Sequence, residues 1–299
     1  MDNHLKHALI TGALGFTGRF MVDELRRHGY RVTGLGSQAS PEPDYRQVDL
    51  TDGQALQACL GELQPDYVVH LAALAFVQHG DANAFYQVNV IGTRNLLEAI
   101  ASMGKAPERV LLASSANVYG NATPGMLSES AALAPANDYA VSKMAMEAMA
   151  RLWCDRLPLV IARPFNYTGV GQAEQFLLPK IVSHFRRKAP LIELGNLDVS
   201  RDFTDVRNLV SAYRRLLECG VNGTTVNICS ERSHSLREVI EMCATISGHQ
   251  LEVRVNPAFV RANEVRSLWG SAAHLRELIG DWDTPSLDST LRWMLAERQ

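Results

Sequence analysis

Over its first 163 residues the chain alternates short apolar runs with amphipathic stretches of helical length, and this alternation leaves few folds open to it. The runs are Ala8-Leu9-Ile10-Thr11, Tyr30-Arg31-Val32-Thr33, Gln47-Val48-Asp49, Tyr67-Val68-Val69-His70-Leu71, Arg109-Val110-Leu111-Leu112 and Leu159-Val160-Ile161-Ala162. Helix-length stretches lie between them near 16–28, 53–63, 81–104 and 138–156. A strand that lies parallel to its predecessor needs a crossover long enough to hold a helix, so the pattern predicts an α/β chain built on a doubly wound parallel sheet. After Arg163-Pro164 the rhythm loosens, with helices suggested near 174–187, 206–218, 235–247 and 285–297 and short strands near 191–194 and 224–229. Two units are expected, residues 1–165 and 166–299, with the chain free to cross between them. The second is a smaller mixed α/β lobe resting on the carboxyl ends of the strands, where open sheets of this kind bind ligands.

The first strand runs into Gly12-Ala13-Leu14-Gly15-Phe16-Thr17-Gly18, which opens the first helix. Glycines there let the backbone approach a pyrophosphate, and the helix N-terminus stabilises its charge. With a strand before it and a helix after it, the turn predicts a Rossmann dinucleotide site rather than an ordinary tight turn. The second strand ends in Gly34-Leu35-Gly36-Ser37-Gln38, with no Asp or Glu where an NAD site commonly binds the adenosine ribose. Room for a 2′-phosphate near Ser37 leans the expectation slightly toward NADP(H) over NAD(H). No Arg adjoins it in sequence, so use of both stays open. Asp49, read as the end of the third strand before Leu50, has two readings: acceptor for the adenine amino group, or cap of the helix after Thr51.

Tyr139 and Lys143 stand four residues apart on a predicted helix and so share one face, one turn apart. A phenol of pKa ~10 is a poor acid–base group at neutral pH, and a nearby ammonium would stabilise its anion and lower that value. The same ammonium can hold the nicotinamide ribose. Upstream, Leu112-Ala113-Ser114-Ser115 ends an apolar strand in two hydroxyls. One of them can hold a substrate oxygen against Tyr139, and the other simply terminates the strand.

Composition bears mainly on partners and surroundings. With 29 basic and 32 acidic residues the net charge is −3, so no bulk field draws the chain to nucleic acid or an anionic membrane, and anionic ligands must be caught locally. The five cysteines, at 59, 154, 219, 229 and 243, follow neither a metal nor a disulfide spacing and suggest buried thiols in a reducing cytoplasm. The sequence shows no charged leader before a long apolar run and no stretch of about 20 apolar residues, so a soluble, unexported protein is expected. The nine histidines lack ligand spacing, and no metal is expected. Met144, Met146 and Met149 beside Trp153 are read as helix packing rather than as a cofactor box.

Taken together, the glycine turn at 12–18, His70-Leu71-Ala72-Ala73, Asn89 with Gly92-Thr93, Ser115 with Val118-Tyr119-Gly120, Tyr139 with Lys143, and Arg163-Pro164-Phe165-Asn166 resemble the extended short-chain dehydrogenase/reductase superfamily in order and spacing. That resemblance implies that Ser115 and Tyr139 touch the reacting oxygen and that Lys143 touches the cofactor ribose. It further implies a cofactor lined by Leu50, Leu71, Ala72, Ala73, Asn89 and Pro164, with Asn166 on the substrate. In this superfamily the helices at 81–104 and 138–156 pair across a dimer interface, so a homodimer is expected.

The segments Gly195 to Val206 and Arg261-Ala262-Asn263-Glu264-Val265-Arg266 look like those of the GDP-mannose dehydratase and GDP-6-deoxymannose reductase branch. By that similarity Arg201 and Arg261 grip the phosphates of a GDP-sugar and Glu264 binds the same ligand. An ordinary surface bridge from Arg201 to Asp202 or Asp205 is the competing reading. Asn117 stands two positions after the catalytic hydroxyl, where related dehydratases place an acid. An amide can hydrogen-bond a sugar hydroxyl but cannot take a proton from carbon, which argues against dehydration. The leading expectation is therefore NAD(P)H-dependent reduction of the 4-keto group of GDP-4-keto-6-deoxy-D-mannose to GDP-D-rhamnose. A 4,6-dehydratase or 4-epimerase is the runner-up, and a non-catalytic redox sensor the remote alternative.

Overall fold

Strands buried on both faces need apolar side chains on each, and β1 (His7–Thr11), buried along its whole length, supplies them with Ala8, Leu9 and Ile10 at its centre. Ala8 and Ile10 enter the core beneath α1 (Phe16–Arg27), whereas Leu9 enters the opposite core beneath α2 (Gly53–Leu63). The computed structural model describes residues 5–75, 81–121, 123–260 and 265–297. After β2 (Arg31–Gly36), β3 (Tyr45–Gln47) and β4 (Tyr67–His70) come α3 (Ala82–Tyr86), a π-helical turn at Gln87–Gly92 and α4 (Thr93–Ala101). Next are β5 (Arg109–Ala113), a 3₁₀ turn at Ala116–Tyr119, α5 (Asp138–Arg151) and β6 (Leu159–Pro164).

Beyond β6 the chain forms β7 (Asn166–Thr168), α6 (Leu177–Arg186), β8 (Leu191–Leu194), β9 (Ser200–Asp205), α7 (Val206–Glu218) and β10 (Thr224–Ile228). It ends with β11 (Ser233–Ser235), α8 (Leu236–Ser247), β12 (Glu252–Val255), β13 (Ser267–Leu268), α9 (Ala273–Ile279) and α10 (Leu287–Ala296).

Seven strands form one parallel sheet in the order β10-β6-β5-β4-β1-β2-β3, a Rossmann-type doubly wound sheet. The strand order reverses at β1, which lies between β4 and β2, and this reversal opens a crevice at the carboxyl ends. A smaller mixed sheet, β11-β9-β13 with β7 beside β9, and the pair β12-β8 pack with α6, α8 and α10 around a third core.

Sequence reading put the strand near 224–229 in the loosened second half, yet β10 pairs with β6 in the main sheet, and α7 covers that sheet with Leu209, Val210, Tyr213, Leu216 and Leu217. The expected helix at 81–104 is divided by the π turn. The third strand ends at Gln47, so Asp49 lies two residues beyond it rather than at its end. Met146 is buried, and Met149 and Trp153 pack against the same core, as helix packing requires. All five cysteines are free thiols, buried or half-buried. Among the described residues no helix is long and apolar enough to cross a membrane.

A buried polar network joins α5, β6 and β10. Glu147 on α5 and Arg163 on β6, 0% and 2% exposed, form a bidentate pair with bonds of 2.8 and 2.6 Å. Ser114 donates to the same carboxylate at 2.6 Å. Arg163 also donates to the Tyr119 hydroxyl at 2.9 Å, and Tyr119 donates to Asn227 on β10 at 2.7 Å. Breaking such a pair leaves one charge desolvated without its partner, so Glu147→Leu should lower stability by about 3–5 kcal/mol in urea unfolding. The double change Glu147→Leu with Arg163→Met should recover most of that loss, and a single variant as stable as the parent would contradict this account.

Candidate active site

Four strand ends converge at the carboxyl edge of the sheet. Gly12 follows β1, Leu71 to Ala73 follow β4, Ser114 and Ser115 follow β5, and Pro164 closes β6, buried. Gly12 has φ +71°, and a Cβ placed on it would lie 2.8 Å from the Ala72 nitrogen. At Gly18 a Cβ would lie 2.1 Å from the Gly12 carbonyl oxygen. Both positions therefore require glycine, and the turn folds tightly against the β4 end. Gly15, the N-cap of α1, has no side chain to cap the helix, and the first turn carries no acidic residue. The first-turn N–H groups are left to a ligand, and donors at a positive helix end suit a dinucleotide pyrophosphate. The residues present fit that cofactor.

Ser115 and Tyr139 come together. Ser115 caps the 3₁₀ turn through the Asn117 N–H at 3.2 Å, and it is hydrogen-bonded to the Tyr139 hydroxyl. Ser114 is the hydroxyl that points away, into the Glu147 network. Of the two serines, Ser115 is therefore the one that meets Tyr139, and Ser114 the one turned to Glu147. Burial pushes the Tyr139 phenol up to about 12, and the bond with Ser115 draws it part of the way back.

Lys143 lies one turn further along α5 and donates to the Ala113 carbonyl at 2.7 Å. The sequence-based expectation that its ammonium lowers the phenol is not met. A buried ammonium needs an acceptor, and the carbonyl at the β5 end supplies one, while burial holds Tyr139 protonated. Burial also lowers Lys143 to about 8, against the opposing pull of Glu147.

The floor of the site is a hydrogen-bond chain whose direction follows from counting protons. Thr93 donates its hydroxyl to the Asn89 carbonyl at 2.7 Å, so the 2.8 Å bond from His70 Nε2 to Thr93 must be donated by the imidazole. His70 Nδ1 is then bare and accepts from Thr11 at 2.7 Å, and the Thr11 oxygen accepts the Ala72 N–H at 3.2 Å. Burial, with Lys143 adding to it, lowers His70 to about 3, so the ring is neutral. Asn89 was expected to line the cofactor, but its side chain is occupied within the protein. It donates to the Leu74 carbonyl and to Ser142, each at 3.0 Å, and accepts the Leu74 N–H at 2.9 Å. It thus ties the segment after β4 to the helix that carries Tyr139 and Lys143.

The remaining expected residues are distributed as follows. Ser37 is exposed beyond β2, and its carbonyl accepts from Gln47. The exposed Asp49 folds onto its own neighbour, accepting from the Thr51 N–H and hydroxyl at 2.8 Å each. The cap of α2 is Asp52, so the capping reading of Asp49 does not hold. Leu50 is buried against Gly92. Phe16 stacks on Tyr167, and Thr17 shares a 2.9 Å hydrogen bond with the Tyr167 hydroxyl. Asn117 is half-buried and Asn166 exposed. Arg201 donates to the carbonyls of Ser200 and Arg266 at 2.9 and 3.3 Å. The carboxylates of Asp202 and Asp205 bond to Ser230 and Arg207. Arg261 and Glu264 lie outside the described residues. Sequence reading passed over Tyr167 and Glu147. A Glu one turn beyond Lys143 on a buried helix face was a signal that could have been used.

A proton donor held beside a dinucleotide cradle at the carboxyl edge of a parallel sheet defines a nicotinamide-dependent enzyme of the extended short-chain dehydrogenase/reductase type. Comparison with known proteins is more particular. Residues 8–229 match the NAD dependent epimerase/dehydratase family, and the chain belongs to it. It is 36% identical over 292 residues to GDP-6-deoxy-D-talose 4-dehydrogenase of Aggregatibacter actinomycetemcomitans, covering 97% of each chain. To GDP-6-deoxy-D-mannose reductase of Pseudomonas aeruginosa it is 33% identical over 299 residues, covering 96% of this chain and 95% of that one. The solved structure of RMD from Pseudomonas aeruginosa complexed with NADPH superposes with a TM-score of 0.85 at 33% identity, over 97% of this chain and 98% of that one.

Two outcomes are expected from this geometry. Tyr139→Phe should lower turnover by about 10²- to 10⁴-fold and leave dinucleotide affinity unchanged, because only the proton donor is removed. Near-parental turnover would show that another group supplies the proton. Lys143 is charged below about pH 8 and neutral above it. Dinucleotide affinity of the free protein should therefore fall as pH rises through that value, and a Lys143→Met variant should lose the transition. Calorimetric titration across pH reads both.

Proposed function

We propose that the chain reduces the 4-keto group of GDP-4-keto-6-deoxy-D-mannose with NADPH or NADH, giving GDP-D-rhamnose. The observation that carries this reading is a phenol kept protonated by burial, pushed up to about 12, and bonded to Ser115. Such a group is set to give a proton. When bound, the reduced dinucleotide supplies the hydride. Ser115 and Tyr139 orient the carbonyl oxygen, and the Tyr139 hydroxyl protonates it as the alcohol forms. Lys143 holds the ribose of the dinucleotide, while Asn166 and Arg201 take the sugar and the phosphates.

Asn117 supports reduction over dehydration, since its amide offers no base for a carbon-bound proton. The activities named for the two relatives, both oxidoreductases of GDP-6-deoxy sugars, favour a GDP-sugar here. The exposed Ser37 and the absence of an acid after Gly36 favour NADP(H) slightly.

A second product is favoured by the relative named GDP-6-deoxy-D-talose 4-dehydrogenase. The same hydride delivered to the opposite face of C4 gives GDP-6-deoxy-D-talose. Purified protein incubated with the 4-keto sugar should consume NADPH at least as readily as NADH, one equivalent per product, and NMR coupling at C4 then tells rhamnose from talose. With GDP-mannose and oxidised cofactor alone, mass spectrometry should show no loss of water. A dehydrated product there would replace this reading with a 4,6-dehydratase.

A further inference from the structure

Asn166 and Tyr167 are neighbours on the three-residue strand β7, which pairs with β9 of the smaller sheet and not with the main one. The expected sugar contact and the group that bonds the cofactor turn are thus adjacent in one short strand. Tyr167 reaches the turn in two ways. Its hydroxyl is 2.9 Å from the Thr17 hydroxyl, and its ring lies on Phe16 with centroids 6.2 Å apart and planes 9° from parallel. Phe16 and Thr17 are the first two residues of α1, at the uncapped N-terminus that suits a pyrophosphate. Tyr167 is also close enough to Tyr139 to act on it electrostatically. The same side of α1 continues through Phe20 to Trp293 of α10, where Arg207 sits 3.8 Å over the indole. The cofactor turn is therefore fastened to the smaller lobe by an aromatic run with a single hydroxyl pair at its end nearest the chemistry.

We propose that Tyr167 is a positioning residue that fastens the dinucleotide turn to the substrate strand, so that dinucleotide and sugar nucleotide strengthen each other's binding through the Thr17–Tyr167 hydrogen bond. This rests on the reading of a sugar nucleotide at Asn166. A ligand that orders one end of the clasp lowers the ordering cost left for the other, and the coupling free energy is the same whichever binds first. Tyr167→Phe removes the hydroxyl and keeps the ring on Phe16, so the aromatic packing persists.

Calorimetry with NADPH and GDP as the probes tests the proposal on the full chain. In the parent, saturating NADPH should tighten GDP by about fivefold or more, the lower end of ordinary coupling. In Tyr167→Phe and in Thr17→Val that factor should fall close to one, the double variant should lose nothing further, and Thr17→Ser, which keeps the hydroxyl, should retain it. A merely structural role would weaken each ligand without changing their coupling. If both ligands bind and the coupling survives in Tyr167→Phe, or is missing in the parent, the inference is wrong and the sugar-nucleotide reading stands. If the parent binds NADPH but neither GDP nor UDP, that reading fails and the inference fails with it.

Discussion

The buried pair between Glu147 and Arg163 is the interaction on which the rest of the catalytic edge depends. Two charges taken out of water cost several kcal/mol unless their hydrogen-bonding capacity is met, and here it is met from several elements at once. Ser114 closes β5 onto the carboxylate, and Tyr119 and Asn227 carry the guanidinium's bonds to the 3₁₀ turn and to β10. The loop beyond the turn is drawn in as well, since the Glu129 carbonyl accepts from Arg163 and the Leu127 carbonyl from Asn227. Moving any one of these elements breaks a buried hydrogen bond of the network, so the ends of β5, β6 and β10 and the second half of α5 keep one relative arrangement. Ser115 and Lys143 are each next to a member of the network, one residue and one turn away, and that arrangement holds them.

Burial then acts on the two titrating groups in opposite senses. It disfavours whichever form is charged, so the phenol goes up and the ammonium comes down. Tyr139 remains an acid, and Lys143 becomes a cation that neutral to mildly alkaline conditions can discharge. A single environment thus moves the two groups in opposite directions along the pH scale.

Much of this was legible in the sequence where the determinant is local. The glycine turn reveals itself because the backbone is its own reason: a Cβ at Gly12 or Gly18 collides with main-chain atoms. Tyr139 and Lys143 share a face because a helix places them so. Elements set by distant partners were less legible. β10 lies in the main sheet because Val226 and Ile228 complete the core beside β6, and nothing within 224–228 announces which sheet it joins. The π turn at Gln87–Gly92 interrupts a sequence that is helical by pattern, because Asn89 must serve Leu74, Ser142 and Thr93 together. Tyr167 escaped notice because its partner Thr17 is 150 residues away. Which of two adjacent serines faces the site was decided by the alternation of side chains at a strand end, a one-residue matter that patterns of composition do not resolve.

The one-way hydrogen-bond chain through His70 has a consequence beyond holding strands together. Imidazole is the side chain most suited to sensing cellular pH, and this one is placed where a change of charge would be felt by any bound dinucleotide. Both its nitrogens are committed, and the ring stays neutral well into acid. To gain a proton, Nδ1 would have to turn the Thr11 hydroxyl from donor to acceptor, leaving the hydroxyl's own proton without the imidazole as its partner. The histidine therefore behaves as an insulator: acidification of the surroundings leaves the end of β4 electrically unchanged.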